Sequence, residues 1–243
     1  MRSAFLIAIS IVALLQTSPA FTQDAGTKDL ARPAQNQSVN PGINDSFLDP
    51  ELDVDAWLQR FEVESREVYA AKDEIVAAFG LQSGDRVADI GTGTGLYVEP
   101  FCDAVGTDGW VYAIDIAPKF VQRVSRIAEH KRLDNVTPVL GSGNDICLPP
   151  ASIDAAFVCD VYHHFEFPSQ SLQSIHRAMK PGGQLVVIDF ERIEGVSREW
   201  TMGHVRAGKD VFRKEIEAAG FEFVEEVKLE GFKENYFLRF RRP

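Results

Sequence analysis

The chain has 243 residues, 45% hydrophobic and 25% charged, which is ordinary for one globular domain with a few dozen residues left over for tails. Asp and Glu outnumber Lys and Arg by 36 to 25, a net charge of -11, so the surface repels nucleic acid and anionic lipid headgroups. Cys102, Cys147 and Cys159 lack CxxC spacing and exclude both a disulfide scaffold and a zinc knuckle. No apolar run reaches the length of an ordinary spanning helix.

Met1 to Ser3 gives a positive start, Ala4 to Leu15 is apolar apart from Ser10, and Ser18-Pro19-Ala20 places small residues at the cleavage-determining positions. Residues 1–20 therefore read as a signal peptide cut after Ala20, and the expected location is periplasmic or secreted. Residues 21–52, rich in Gln, Asn, Asp and Pro, read as a flexible lead-in that cannot offset its own ordering entropy. Order is expected from about Asp53, and the remaining chain, 53–243, as one domain.

Val54, Trp57, Leu58 and Phe61 have helical spacing, and a second helix is predicted from Ser65 to Phe79 with Gly80 as its cap. Short apolar runs then alternate with helical patterns. Strands are predicted at Arg86–Ile90, Trp110–Ile114, Val136–Leu140, Ile153–Cys159 and Gln184–Asp189, then at Phe221–Val227 and Asn235–Arg241. Helices are predicted at Leu96–Val105, kinked or shortened by Pro100, and at Pro118–Lys131, Pro168–Met179 and Lys209–Ala219. Such alternation specifies an α/β, doubly wound sheet whose ligand lies at the carboxyl ends of the first strands.

The strongest chemical signal is Val87-Ala88-Asp89-Ile90-Gly91-Thr92-Gly93-Thr94-Gly95, a strand ending in an acid and a glycine loop. A dinucleotide fingerprint wants its third glycine at position 96, where Leu96 stands, and no Gly-Lys-Ser or Gly-Lys-Thr completes a phosphate loop. Asp89 suits a cationic ligand better than a pyrophosphate. Asp115, at the end of the next strand, is placed to accept hydrogen bonds from two ribose hydroxyls.

Over roughly Arg66 to Phe240 the chain resembles the class I S-adenosylmethionine-dependent methyltransferases. The matching pieces are the Val87–Gly95 segment, Tyr112-Ala113-Ile114-Asp115-Ile116, Asn144-Asp145 before Leu148-Pro149, Asp154 to Phe165, and Met179-Lys180-Pro181-Gly182-Gly183. It most resembles a little-described branch with Ser65-Arg66-Glu67-Val68-Tyr69, Asp160-Val161-Tyr162-His163-His164-Phe165 and Gly203-His204-Val205-Arg206. The resemblance implies a Rossmann-like, seven-stranded sheet with the last strand antiparallel and helices before it. It implies S-adenosyl-L-methionine as cofactor, with Asp89, Gly91, Gly93 and Gly95 near its methionine part, Asp115 on its ribose, and Asn144 and Asp145 near its adenine.

On the acceptor side, Asp160, Tyr162 and His164 fall on alternate positions and are expected to line the cavity, with His163 pointing elsewhere if the strand continues. His164 is the first candidate for a general base, with His163 and His204 behind it; the alternative is a structural His-His turn. His204 and Arg206 are placed in a connection where a substrate would meet them. Asp160, His163, His164 and Glu166 have the residue types of metal ligands, but adjacent side chains rarely converge on one ion, so no metal is expected. These features lead to an exported methyltransferase acting on a small-molecule acceptor. The alternative is a noncatalytic exported protein that binds S-adenosylmethionine or another nucleoside.

Overall fold

The computed structural model describes residues 37–64 and 66–243. The signal peptide and the first part of the lead-in lie outside the described residues. The lead-in expectation needs correction from Ser38 onward. Asn44 is buried, and α1 (Asp45–Leu48) packs Phe47 against Trp57, Phe61 and Phe120, because those aromatic rings leave an apolar face that the segment covers.

The expected helical region before the first strand is three helices, α2 (Val54–Glu64), α3 (Arg66–Ala70) and α4 (Lys72–Phe79). Gly80 ends α4 in the left-handed region at φ +73°, with its N–H donating to Val76 O, which is the cap the sequence predicted. There follow β1 (Arg86–Ile90), α5 (Val98–Val105), β2 (Trp110–Asp115), α6 (Pro118–Lys131), β3 (Val136–Leu140) and β4 (Ile153–Cys159). Because α5 starts at Val98, Pro100 sits in its first turn, where a missing N–H loses no helical bond, and no kink is needed.

After a 3-10 turn at Tyr162–His164 come α7 (Pro168–Ala178), β5 (Met179–Phe190), α8 (Glu199–His204), α9 (Lys209–Ala218), β6 (Glu222–Val227) and β7 (Asn235–Arg241). The Lys180–Gly183 segment is the irregular start of β5: Gly182 N–H donates to Arg242 O, and Arg242 N–H to Gly183 O.

The sheet has seven strands in the order β3-β2-β1-β4-β5-β7-β6, with β7 antiparallel to both of its neighbours and β1 to β5 mutually parallel. Period-two alternation sends Ala88, Ile90, Ala156, Val158, Leu185 and Val187 to one face, under α7 and α9. It sends Val87, Val111, Ala113, Phe157, Val186 and Ile188 to the other, under α4 and α5. Covered on both faces, β1 and β4 read as continuous apolar runs. The chain leaves β1 toward β2 on one side and returns through β4 on the other. The crevice at the carboxyl ends of β1 and β4 is therefore where no crossover fills the space.

Candidate functional site

One cavity occupies this crevice, lined among others by Asp89, Gly91, Gly93, Asp115, Asp145, Asp160, His163, His164 and His204. The glycine loop joins β1 to α5. Gly91 has φ +72°, and a Cβ there would lie 2.5 Å from both Cγ atoms of Val161, so only glycine lets the loop pass beneath the end of β4. Gly93 and Gly95 also have positive φ. The loop is tied down by Asp115, whose Oδ2 accepts the Gly93 N–H at 2.8 Å while Oδ1 accepts the Ala117 N–H at 2.8 Å. Burial pushes the Asp115 carboxyl up to about 6, against the pull of these backbone donors. Asp89 is likewise buried and pushed up to about 7 by desolvation, and its Oδ2 has no hydrogen-bond partner.

Two residues expected near adenine part company. Asp145 lines the cavity while its carboxylate pairs with Arg177 at 2.9 Å, and hydrogen bonds from the Cys147 N–H and Arg177 hold it below the usual range. Asn144 is exposed, is not among the cavity residues, and donates to Gln170 Oε1 at 2.7 Å, because the bridge between Ser142 and Asp145 turns it outward.

The expected alternation at the end of β4 also fails. The strand stops at Cys159, and Asp160 takes φ +52°, the left-handed conformation that breaks period two. Asp160 still lines the cavity and accepts the Asn235 Nδ2–H at 2.8 Å. The 3-10 turn then drives Tyr162 into the core, fully buried, with its hydroxyl donating to Glu215 at 2.9 Å. Tyr162 is not a cavity residue, whereas His163, expected to point elsewhere, is one.

His163 Nδ1 lies 2.8 Å from Asp189 Oδ1, with both groups buried. Asp189 also accepts the backbone N–H groups of His163 and Phe190. Burial holds the imidazole well below its ordinary pKa and raises Asp189 to about 7, so the pair is a hydrogen bond from a neutral ring. With Nδ1–H donating, the lone pair is on Nε2, which is buried without a hydrogen-bond partner. His164 Nε2 and His204 Nε2 are 3.3 Å apart. Phe47 meets the His164 ring edge-on at 5.2 Å, and Trp200 stacks on His204 at 4.7 Å.

The connection expected to present His204 and Arg206 contains α8, which ends at His204 and carries it to the other two histidines. Arg206 instead pairs with Glu215 at 2.6 Å and lies over Phe212, so the core takes it out of the cavity lining. Glu166, weighed as a metal ligand, accepts from Ser38 Oγ at 2.7 Å and from Asn44 Nδ2 at 3.3 Å, fastening the segment before α1 over the site.

Sequence reasoning missed Asp189, Trp200 and the Asn44–Phe47 cover. Asp189 did have a signal: like Asp89 and Asp115, it is an acid near the carboxyl end of an apolar strand.

Residues 88–187 match the family model for a methyltransferase domain. A 37.1 kDa protein of transposon TN4556 from Streptomyces fradiae is 31% identical over 54% of this chain and 39% of its own length. The ubiquinone/menaquinone biosynthesis C-methyltransferase UbiE of Francisella philomiragia is 26% identical over 50% of this chain and 49% of its own. The matches thus span about half the length of the curated relatives, or less. The crystal structure of an S-adenosylmethionine-dependent methyltransferase from Aquifex aeolicus superposes with a TM-score of 0.68 at 23% identity, covering 79% of this chain and all of that one. Residues 88–187 thus form a methyltransferase domain, and the sheet order and glycine loop give the chain the fold of the class I S-adenosylmethionine-dependent methyltransferases.

Proposed function

We propose that the protein is an exported methyltransferase that transfers the methyl group of S-adenosylmethionine to a small-molecule acceptor. The observation that carries this reading is the shared cavity. It holds a buried carboxylate oxygen without a partner at Asp89, a glycine loop tied to Asp115, and the imidazoles of His163, His164 and His204. These residues fit the cofactor: Asp89 for its ammonium group, Asp115 for its ribose hydroxyls through lone pairs left over from the backbone bonds, and Asp145 beside its base. When bound, S-adenosylmethionine supplies an electrophilic methyl group on a sulfonium. Phe47, Trp57, Phe61 and Trp200 line the cavity and exclude water from the transfer.

His163 and His164 are kept neutral by burial, and an imidazole nitrogen there can hold the proton an acceptor hydroxyl or thiol gives up. The acidic surface and the aromatic-lined cavity favour a small acceptor over nucleic acid. Among the described residues no helix is long and apolar enough to cross a membrane.

The test is an unbiased metabolite screen for cofactor-dependent mass gain of one methyl. A methylated product that disappears on heat-inactivating the protein supports the reading. Binding of the cofactor with no product from any acceptor supports the noncatalytic alternative. Export is tested by terminal sequencing of the natural protein: a start at Phe21 supports it, and an intact Met1 or Arg2 in the cytosolic fraction overturns it.

A further inference from the structure

We propose that His163, His164 and His204 form a binding site for one divalent transition-metal ion of the zinc class, set at the acceptor end of the cavity. The three residues each offer one ring nitrogen, and these atoms all lie within 4.8 Å of one another. Zinc binds imidazole nitrogen at about 2.0 to 2.1 Å, so two tetrahedral ligands stand roughly 3.3 Å apart. The His164 and His204 Nε2 atoms are 3.3 Å apart already, and His163 offers a ring nitrogen within 4.8 Å of the nitrogens of both.

An independent observation points the same way. Asp189 accepts from His163 Nδ1 and fixes the tautomer that leaves Nε2 as the lone-pair donor, and that Nε2 is buried with no hydrogen-bond partner. A carboxylate behind a ligating imidazole is the arrangement that orients metal-bound histidines and raises their basicity. The ring of His204 is held from its other side by Trp200, and His164 is held by Phe47 and by the bond from Asn44 Nδ2 to its carbonyl oxygen.

The sequence spacing hid this site. His163 and His164 are adjacent, and the distant third ligand is supplied only by the short helix α8. Among the described residues the cluster offers three imidazole nitrogens and no thiolate or carboxylate, a donor set that suits zinc, cobalt or nickel, and not magnesium or calcium, which demand oxygen. All three histidines line the cavity, so the remaining coordination position is open to an acceptor. In the loaded protein the nitrogen lone pairs are committed to the ion. An ion held there would lower the pKa of an acceptor hydroxyl or thiol, so that the acceptor could lose its proton before the cavity closes over it.

The site rests on the three imidazoles and not on methyl transfer, so it is tested separately. The full chain, stripped with chelator, is titrated with Zn(II), with Mg(II) as control, and bound metal is counted by elemental analysis after dialysis. One zinc per chain and no magnesium is expected, with cobalt giving the visible absorption of a tetrahedral nitrogen site. His204→Ala and His163→Ala should fall to background, Asp189→Asn should bind about 10- to 100-fold more weakly, and Cys147→Ser should bind as the wild type. S-Adenosylhomocysteine binding and melting are measured on each variant; where His204→Ala does not fold, His204→Gln takes its place. Background zinc binding by the wild type, or full binding by the folded His204 variant, overturns the site. Failure of the wild type to bind S-adenosylhomocysteine while holding one zinc overturns the methyltransferase reading and leaves the metal site standing.

Discussion

Asp115→Asn separates the two jobs assigned to that side chain. The carboxylate accepts two backbone N–H bonds, from Gly93 and Ala117, each at 2.8 Å. Asparagine can satisfy one of these with its oxygen but turns an NH2 group toward the other donor, which costs about 1 to 3 kcal/mol. Against this, keeping the buried carboxylate ionised when its pKa is pushed from 3.8 to about 6 costs about 3 kcal/mol at pH 8. The neutral amide removes that cost. The two effects offset, and the melting temperature at pH 8 should stay within about 8 °C of wild type, the shift that about 2 kcal/mol produces in a domain of this size.

Affinity has no such compensation. Losing the charge-assisted bonds to ribose hydroxyls costs about 1.5 to 3 kcal/mol, so S-adenosylhomocysteine should bind roughly tenfold to hundredfold more weakly. Isothermal titration calorimetry with parallel melting curves checks both numbers. An unchanged dissociation constant in a folded variant refutes the placement of the ribose at Asp115, and a collapse of stability refutes the offset.

The buried Asp89 carboxyl, pushed up to about 7, binds its proton more tightly in the folded chain than in the unfolded one, so its contribution to stability falls as pH rises from about 4 to about 7 and is level beyond. Asp89→Asn should therefore gain in melting temperature over the wild type across that window while binding the cofactor product at least about tenfold more weakly at pH 8; a difference that stays flat with pH defeats the reasoning. Gly91→Ala adds left-handed strain of about 1 to 2 kcal/mol to the overlap with Val161, and should lower the melting temperature by about 4 to 8 °C and weaken cofactor binding. Partial recovery in the Val161→Ala background is the check, and its absence argues against the overlap. Tyr162→Phe removes the hydroxyl bond to Glu215 and should cost about 0.5 to 1.5 kcal/mol in stability with turnover within about twofold. A large loss of turnover with unchanged stability would return Tyr162 to the chemistry.

Local chemistry made much of the molecule legible before any tertiary contact was known. Apolar runs closed by acids marked β1 and β2 with Asp89 and Asp115, because strands buried on both faces need unbroken apolar sequence and their carboxyl ends face a crevice. Pro118 and Pro168 opened helices and Gly80 closed one, because these residues act through their own backbone angles. Period two was trustworthy inside β4 and failed one residue past it. Asp160 at φ +52° and the 3-10 turn exchanged the places of Tyr162 and His163, and nothing in the spacing of side chains records a positive φ at a residue other than glycine. The partnership of His163 with Asp189, the arrival of His204 from α8, and the cover from Ser38 to Leu48 join positions separated by 26, 40 and more than 100 residues. Those contacts are set by how β4 and β5 pair and how α8 packs across them. The amino-acid sequence alone thus specified the glycine loop, whose chemistry is local, while the tertiary structure decided the histidine cluster, whose members meet only in the folded chain.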